Sequence, residues 1–382
     1  MKLQHLSLRE FRNFEAGEVD FGARFTVMHG SNGAGKTNLL EALYLIATLR
    51  SFRSADLGPL VRHGATETRV DVAGRDLQLD LTTKLTVQLT RTERQTRRLA
   101  LADGKTVRSA IDFYGRLRAI LFTPEDLGVL RGSPAGRRQF LDRALFARER
   151  SHISDISDYD KLLRSRNRVL RGEEGGLSRA QQDGLLDAYD AGLAACGARI
   201  WARRARLLAD LHPSFSEAFA RIHGAHLPAT LTYVSKVEAP AGETALAEAL
   251  RAHRRQDLAR GTTTVGPHRD DFDVQLGRQP ASTFASQGQS RALILAFKIA
   301  ELKDARLRTG EAPLLLLDDV SSELDPQRSA QLFEALLRDA GQCVLTTTAP
   351  HFIGLPAGED CRYIEVTKGR IESGGISGPR PP

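Results

Sequence analysis

At 382 residues the chain has room for more than one packed lobe, and its 41% apolar and 26% charged content is that of a folded globular protein, which excludes general disorder. A formal net charge of +7 tilts the choice of partner toward polyanions without fixing it. Cys196, Cys343 and Cys361 stand at no paired metal-binding spacing, the first residues form no secretory leader and no apolar run reaches membrane-spanning length, so a reducing, cytoplasmic setting with no membrane partner is expected.

The chain opens on an extended segment with Leu3, Leu6 and Leu8 apolar, and a second strand is predicted over 24–29, carrying Phe25, Val27 and Met28. GSNGAGKT follows: Gly30, Ser31, Asn32, Gly33, Ala34, Gly35, Lys36 and Thr37 form a full G-x-x-x-x-G-K-[ST] phosphate loop. Glycines let backbone N–H groups curl toward phosphate oxygens, and the helix that starts there offers its positive end. Lys36 would reach the β and γ phosphates and the Thr37 hydroxyl would ligate Mg²⁺, so ATP and Mg²⁺ are the expected cofactors. The helix itself shows an apolar stripe at Leu39, Leu40, Leu43 and Ala47. From Val70 to Leu101 the apolar period becomes two (Leu77, Leu79 and Leu81, then Leu85, Val87 and Leu89), which predicts antiparallel strands with one wet face.

The stretch from Ala135 to Arg260 is helical in character. Leu186, Leu193, Ile200 and Leu207 recur every seven residues, and Leu211, Phe215 and Phe219 continue at helical spacing. Arg203 interrupts the pattern, so a compact lobe or short arm is predicted in place of a long coiled coil. Basic residues crowd this lobe. Arg137, Arg138, Arg164, Arg166 and Arg168 belong to a run from Arg131 to Arg171, and Arg199, Arg203, Arg204 and Arg206 form a second cluster. Together they suit contacts to DNA phosphates, while each alone reads better as part of a solvated helix face balanced by Asp155, Asp158 and Asp160. The few aromatic residues there, Phe140, Phe146, Tyr159 and Trp201, make no regular interleaved pattern with the basic ones, which favours duplex DNA over stacked single strands.

In GPHRDD (266–271), Arg269 could meet phosphate, or His268 and Asp270 could form a hydrogen-bonded turn at a strand entry; both readings stay open. SQGQSR precedes a helix predicted over 291–307. LLLLDD then reads as a buried strand that delivers Asp318 to Mg²⁺ and Asp319 to the attacking water. Lys36 and Asp318 lie about 280 residues apart, so one ATPase core must be interrupted by the material between. A further strand is expected over 343–347, and a loose Gly/Pro-rich tail from Ser373.

Ser286, Gln287, Gly288 and Gln289 resemble the signature motif of ABC-type ATPases, which in that superfamily faces the γ-phosphate held by a second subunit. Ser322, Glu323 and Asp325, in SSELD, resemble its D-loop, and Thr347 stands where it has a switch residue, often His. Asp319 is shorter than the Glu of transporters, so slow turnover is expected. With LREFRNF, FTPEDL, GSPAGRRQFLD and GPHRDD in order along nearly the whole chain, the sequence resembles the bacterial RecF family of recombination-repair proteins. The resemblance implies an α/β fold: an ABC/SMC-type P-loop ATPase head, with a split core and an antiparallel β-subdomain, plus a helical second lobe. The head would take residues 1–130 and 261–372, the lobe 131–260 and the tail 373–382. The resemblance also implies ATP contacts from Arg12 and Asn13, a homodimer on ATP binding, duplex DNA at gaps or junctions, and the RecR and RecO proteins as partners. Two alternatives fit less well. GPHRDD and the long helical insertion disfavour the ATPase of a membrane transporter, and a P-loop metabolic kinase has no use for Ser286.

Overall fold

The computed structural model describes residues 1–76, 81–176, 178–224, 226–237, 242–319, 340–348, 350, 353 and 361–373. The chain forms two compact units, Met1–Leu127 with Glu301–Pro382, and Gly128–Ala300. The first begins with β1 (Lys2–Phe11), β2 (Phe14–Asp20), β3 (Phe25–His29), α1 (Lys36–Thr48), β4 (Glu67–Asp76), β5 (Leu81–Arg91), β6 (Thr96–Ala102), β7 (Lys105–Thr106), α2 (Ala110–Phe113), β8 (Ala119–Phe122) and α3 (Pro124–Leu127). The chain continues through α4 (Pro134–Arg148), α5 (Arg150–Leu170), α6 (Arg179–His223), β9 (Ala229–Val234), α7 (Gly242–Arg260), β10 (Asp271–Leu276), β11 (Gln279–Pro280), α8 (Ala281–Phe284) and α9 (Gln287–Thr309). It ends with β12 (Leu314–Asp318), β13 (Gln342–Thr347), β14 (Cys361–Thr367) and β15 (Arg370–Ser373).

Two six-stranded sheets build the first unit. One has the order β15-β14-β3-β13-β12-β8, parallel except at the β15 edge. Every residue of β12 is buried, which explains its run of leucines: a parallel strand covered on both faces has no wet side to alternate with. The other, β2-β1-β4-β5-β6-β7, is antiparallel and alternates as expected, with Val70, Val72, Leu85, Val87 and Leu89 buried. Leu77 and Leu79 lie outside the described residues. Helix α1 packs against β4 and β5 of one sheet and β12 and β13 of the other. The expected one-sided stripe is therefore replaced by burial on nearly every face, Glu41 included. β2 is an addition to the expected elements, and β15 carries regular structure through Ser373, where the tail was expected to begin.

The second unit is organised by α6, a 45-residue helix capped by a reciprocal Ser178–Gln181 box. Leu186, Leu193, Ile200, Leu207, Leu211, Phe215 and Phe219 are all buried, and α5, α7 and β9 pack along the helix. Arg203, the residue that interrupts the heptad, reaches Glu149 and Asp155. The expected boundary at 260 falls inside this unit. β10 pairs with β9 over six residues, in a three-stranded sheet with β11, so the stretch after α7 is held by the lobe and the lobe is not purely helical.

Candidate nucleotide site

The phosphate loop sits where β3 hands over to α1. Gly30 has φ +148° and Gly35 φ +120°; a Cβ would lie 2.2 Å from the Val366 carbonyl oxygen at the first and 2.8 Å from Asn13 Nδ2 at the second, so only glycine fits. Lys36 Nζ donates to the carbonyls of Gly30 (2.7 Å) and Ser31 (3.0 Å), which centres the ammonium in the loop and leaves one of its three N–H donors for a ligand. Burial pushes its pKa down against the pull of Asp319 and Asp318. α1 starts without a side-chain cap, so its first N–H groups remain for an anion.

Arg12 and Asn13 form the two-residue turn between β1 and β2, with Arg12 at φ +54°. Arg12 makes a forked ion pair with Glu41 (2.8 and 2.7 Å), which points its guanidinium without engaging Nη1. Asn13 braces the loop, donating to the Ala34 carbonyl (3.0 Å) and accepting from Asn38 Nδ2 (2.7 Å). The cleft beside them has a volume of about 670 Å³, and its lining includes Arg12, Asn13, Asn32, Gly33, Lys36, Thr37, Asp318 and Asp319. It also includes Arg53, Pro59, Val61, His63 and Arg91, which carry no motif and are brought to the loop by tertiary structure alone.

Opposite the loop, β12 ends in the two acids. Thr37 Oγ1 donates to Asp318 Oδ1 at 2.8 Å, across 281 positions of sequence. Burial pushes the Asp318 carboxyl up, and the Thr346 and Thr37 hydroxyls work the other way. A carboxylate beside a hydroxyl, next to a phosphate loop, is a hard oxygen set that suits Mg²⁺, which takes one or two carboxylates plus substrate phosphates. Asp319 has φ +46°, and its N–H donates to Thr346 Oγ1 (3.0 Å). The residue on β13 that meets the acids is thus Thr346, which lines the cleft. Thr347, the expected switch, is buried, and strand alternation turns it to the other face. Ser322, Glu323 and Asp325 lie outside the described residues.

In the second unit, Ser286 and Gln289 cap α9 reciprocally: the Ser286 N–H reaches Gln289 Oε1 (2.8 Å), and the Gln289 N–H reaches Ser286 Oγ (3.1 Å). The cap uses the hydroxyl oxygen as an acceptor and leaves its proton for another partner, while Ser286 and Gln287 are exposed and Gly288 half-buried.

The arginines proposed for DNA divide sharply. Arg166 is fully buried and pairs with Asp190 (2.6 Å), Asp257 (2.8 Å) and Thr263 (2.9 Å), so it cannot reach a DNA phosphate; it ties α5 to α6 and α7. Arg137 forks onto Asp271 (2.8 and 2.6 Å), and Arg138 donates to the Asp270 carbonyl (2.8 Å). Arg204, also buried, forks onto Asp142, which takes His152 as well. Arg164 and Arg168 are exposed, Arg168 beside Glu174. Within GPHRDD, His268 and Asp270 form the hydrogen-bonded turn, while Arg269 is exposed and gives only its Nε to the Thr263 carbonyl (3.2 Å). His268 meets Tyr159 (2.8 Å) and the Thr263 carbonyl (3.1 Å), and Asp270 accepts from Tyr233, Ser235 and Trp201 just before β10 begins.

Residues 2–355 match the family model described as RecF/RecN/SMC N terminal domain. The chain is 43% identical to the DNA replication and repair protein RecF of Myxococcus xanthus, covering 97% of each, and 36% identical to that of Geobacter sulfurreducens, covering 97% of this chain and 99% of the other. Among solved structures it is similar to the recombination mediator protein RecF-ATPrS in the RecFOR pathway, with TM-score 0.83, 28% identity and 97% of each chain covered. A likeness to the SmcHead bound to the C-winged helix domain of ScpA, with TM-score 0.55, 15% identity and 97% and 96% covered, concerns the fold alone.

Proposed function

The chain belongs to the bacterial RecF family, in the SMC/ABC-type ATPase superfamily, and on that premise we propose that it is an ATP-switched DNA-binding protein of replication and recombinational repair. The observation that carries the reading is the convergence of Lys36, Thr37 and Asp318 on one cleft from motifs at opposite ends of the sequence. The uncapped start of α1 and Lys36 bind the β and γ phosphates; Arg12, aimed by Glu41, adds a further positive group. Thr37 and Asp318 would hold Mg²⁺, which would supply charge neutralisation for the triphosphate. Asp319 orients the attacking water, and its short side chain keeps hydrolysis slow.

Ser286, with its hydroxyl proton uncommitted to the cap, contacts the γ-phosphate held by Lys36 of a second copy, so ATP joins two chains. The homodimer grips duplex DNA near gaps or junctions through exposed arginines such as Arg164 and Arg168, and RecR and RecO proteins are its partners in the cytoplasm. The test is ATP-dependent retention on gapped against intact duplex DNA, with light scattering for the dimer. Lys36→Met should lose ATP-dependent retention. Ser286→Arg should keep ATP binding and lose the ATP-driven dimer; dimers that persist in this variant overturn the shared site.

A further inference from the structure

We propose that Thr346 is a positioning residue for ATP hydrolysis, one hydroxyl that sets the geometry of both acids at the end of β12; this rests on the reading of the chain as an ATPase. Asp318 and Thr346 are register partners across the parallel β12–β13 ladder, which brings the hydroxyl alongside the carboxylate. Its bonding pattern has only one solution. The Asp319 N–H, at 3.0 Å, can only donate, so Oγ1 accepts there. The single hydroxyl proton is then committed to Asp318 Oδ1, at 2.8 Å. At 2% exposure Thr346 has little water to exchange with either partner.

Each bond bears on a different acid. The first anchors the backbone of Asp319 in the left-handed conformation, φ +46°, which aspartate enters more readily than most residues with a Cβ but still at a cost. The second meets Oδ1 of Asp318 together with the Thr37 hydroxyl and so fixes the rotation of the carboxylate toward the phosphate loop. Thr346 lines the cleft, and in this scheme both its hydroxyl bonds go to the acids. It acts through Asp318 and Asp319, so its removal should leave triphosphate binding intact and disturb metal use and turnover.

Thr346→Val keeps the shape and removes the hydroxyl, leaving two buried polar groups without this partner. It is expected to lower kcat about 100-fold, as displacement of a catalytic group does, with KM for ATP and ATP affinity in EDTA unchanged. The Mg²⁺ concentration that half-saturates the tightening of ATPγS binding, measured without turnover, should rise about tenfold. Thr346→Ser, which keeps the hydroxyl, should restore both. If Thr346→Val does not fold, Thr346→Cys takes its place with the same expectation, since a thiol is a weak donor. Wild-type kcat and Mg²⁺ response in the Val variant overturn the proposal, as does a higher KM at unchanged kcat, or a Ser variant as impaired as Val. A wild-type chain that does not bind ATP overturns the ATPase reading along with it; a wild-type chain that turns over beside an unaffected Val variant overturns the role of Thr346 alone.

Discussion

The two units put the same polar side chains to opposite uses. In the first, Lys36, Arg12 and Asp318 are held by partial sets of hydrogen bonds that aim them into a cleft and leave bonding capacity there. In the second, Arg166, Arg204 and Arg137 turn toward carboxylates of their own unit, Asp190, Asp257, Asp142 and Asp271. Charge in a sequence therefore says little about availability. A guanidinium between packed helices has lost its water and must be paired, whereas one on a hairpin turn beside a cleft keeps capacity for a ligand.

The largest expected effect breaks this contrast from the buried side. Arg166→Ala takes the guanidinium from two buried carboxylates, leaving Asp190 with Arg254 and Asp257 with only the neutral donors of Thr264, and should cost the second unit about 3–5 kcal/mol, read by chemical denaturation; a loss near zero would return Arg166 to the surface role expected of it. Next comes pH. His268 pairs through Nδ1 with the Tyr159 hydroxyl and through Nε2 with the Thr263 carbonyl; the carbonyl can only accept, so Nε2 carries a proton, and the neutral ring can accept from Tyr159 at Nδ1. Burial foremost, with Arg269 and Arg138 adding to it, lowers its pKa to about 4 against the Thr263 carbonyl. The folded value lies below the ordinary 6.5, so the contribution is complete above about 6.5 and is lost as pH falls through about 4. Stability should drop across that window by up to about 3 kcal/mol, and His268→Gln should flatten the drop; an unchanged slope in the variant assigns the acid sensitivity elsewhere.

On the cleft side, Asn13→Ala removes the brace on the Ala34 carbonyl and should weaken ATP binding by about 1 kcal/mol, measured by calorimetry. The smallest effect sharpens the contrast with Arg166 two positions away. Arg164→Ala should change stability by no more than about 0.5 kcal/mol, while reducing the salt dependence of duplex binding by about one counterion. An unaltered salt slope would remove Arg164 from the DNA surface.

Local sequence determined what rests on local chemistry. The phosphate loop, the two strand periods, the heptad along α6 and the acid-ended strand were legible because each depends on residue spacing that a helix, strand or turn imposes. Tertiary structure decided what depends on neighbours distant in the chain. It alone buried both faces of α1 between two sheets, drew residues after Arg260 into the lobe through β9–β10 pairing, and separated Arg166 from Arg164 by giving one a cavity lined with carboxylates and the other solvent. It also selected Thr346 over Thr347, because strand register, invisible in a run of threonines, sets which hydroxyl stands beside Asp318.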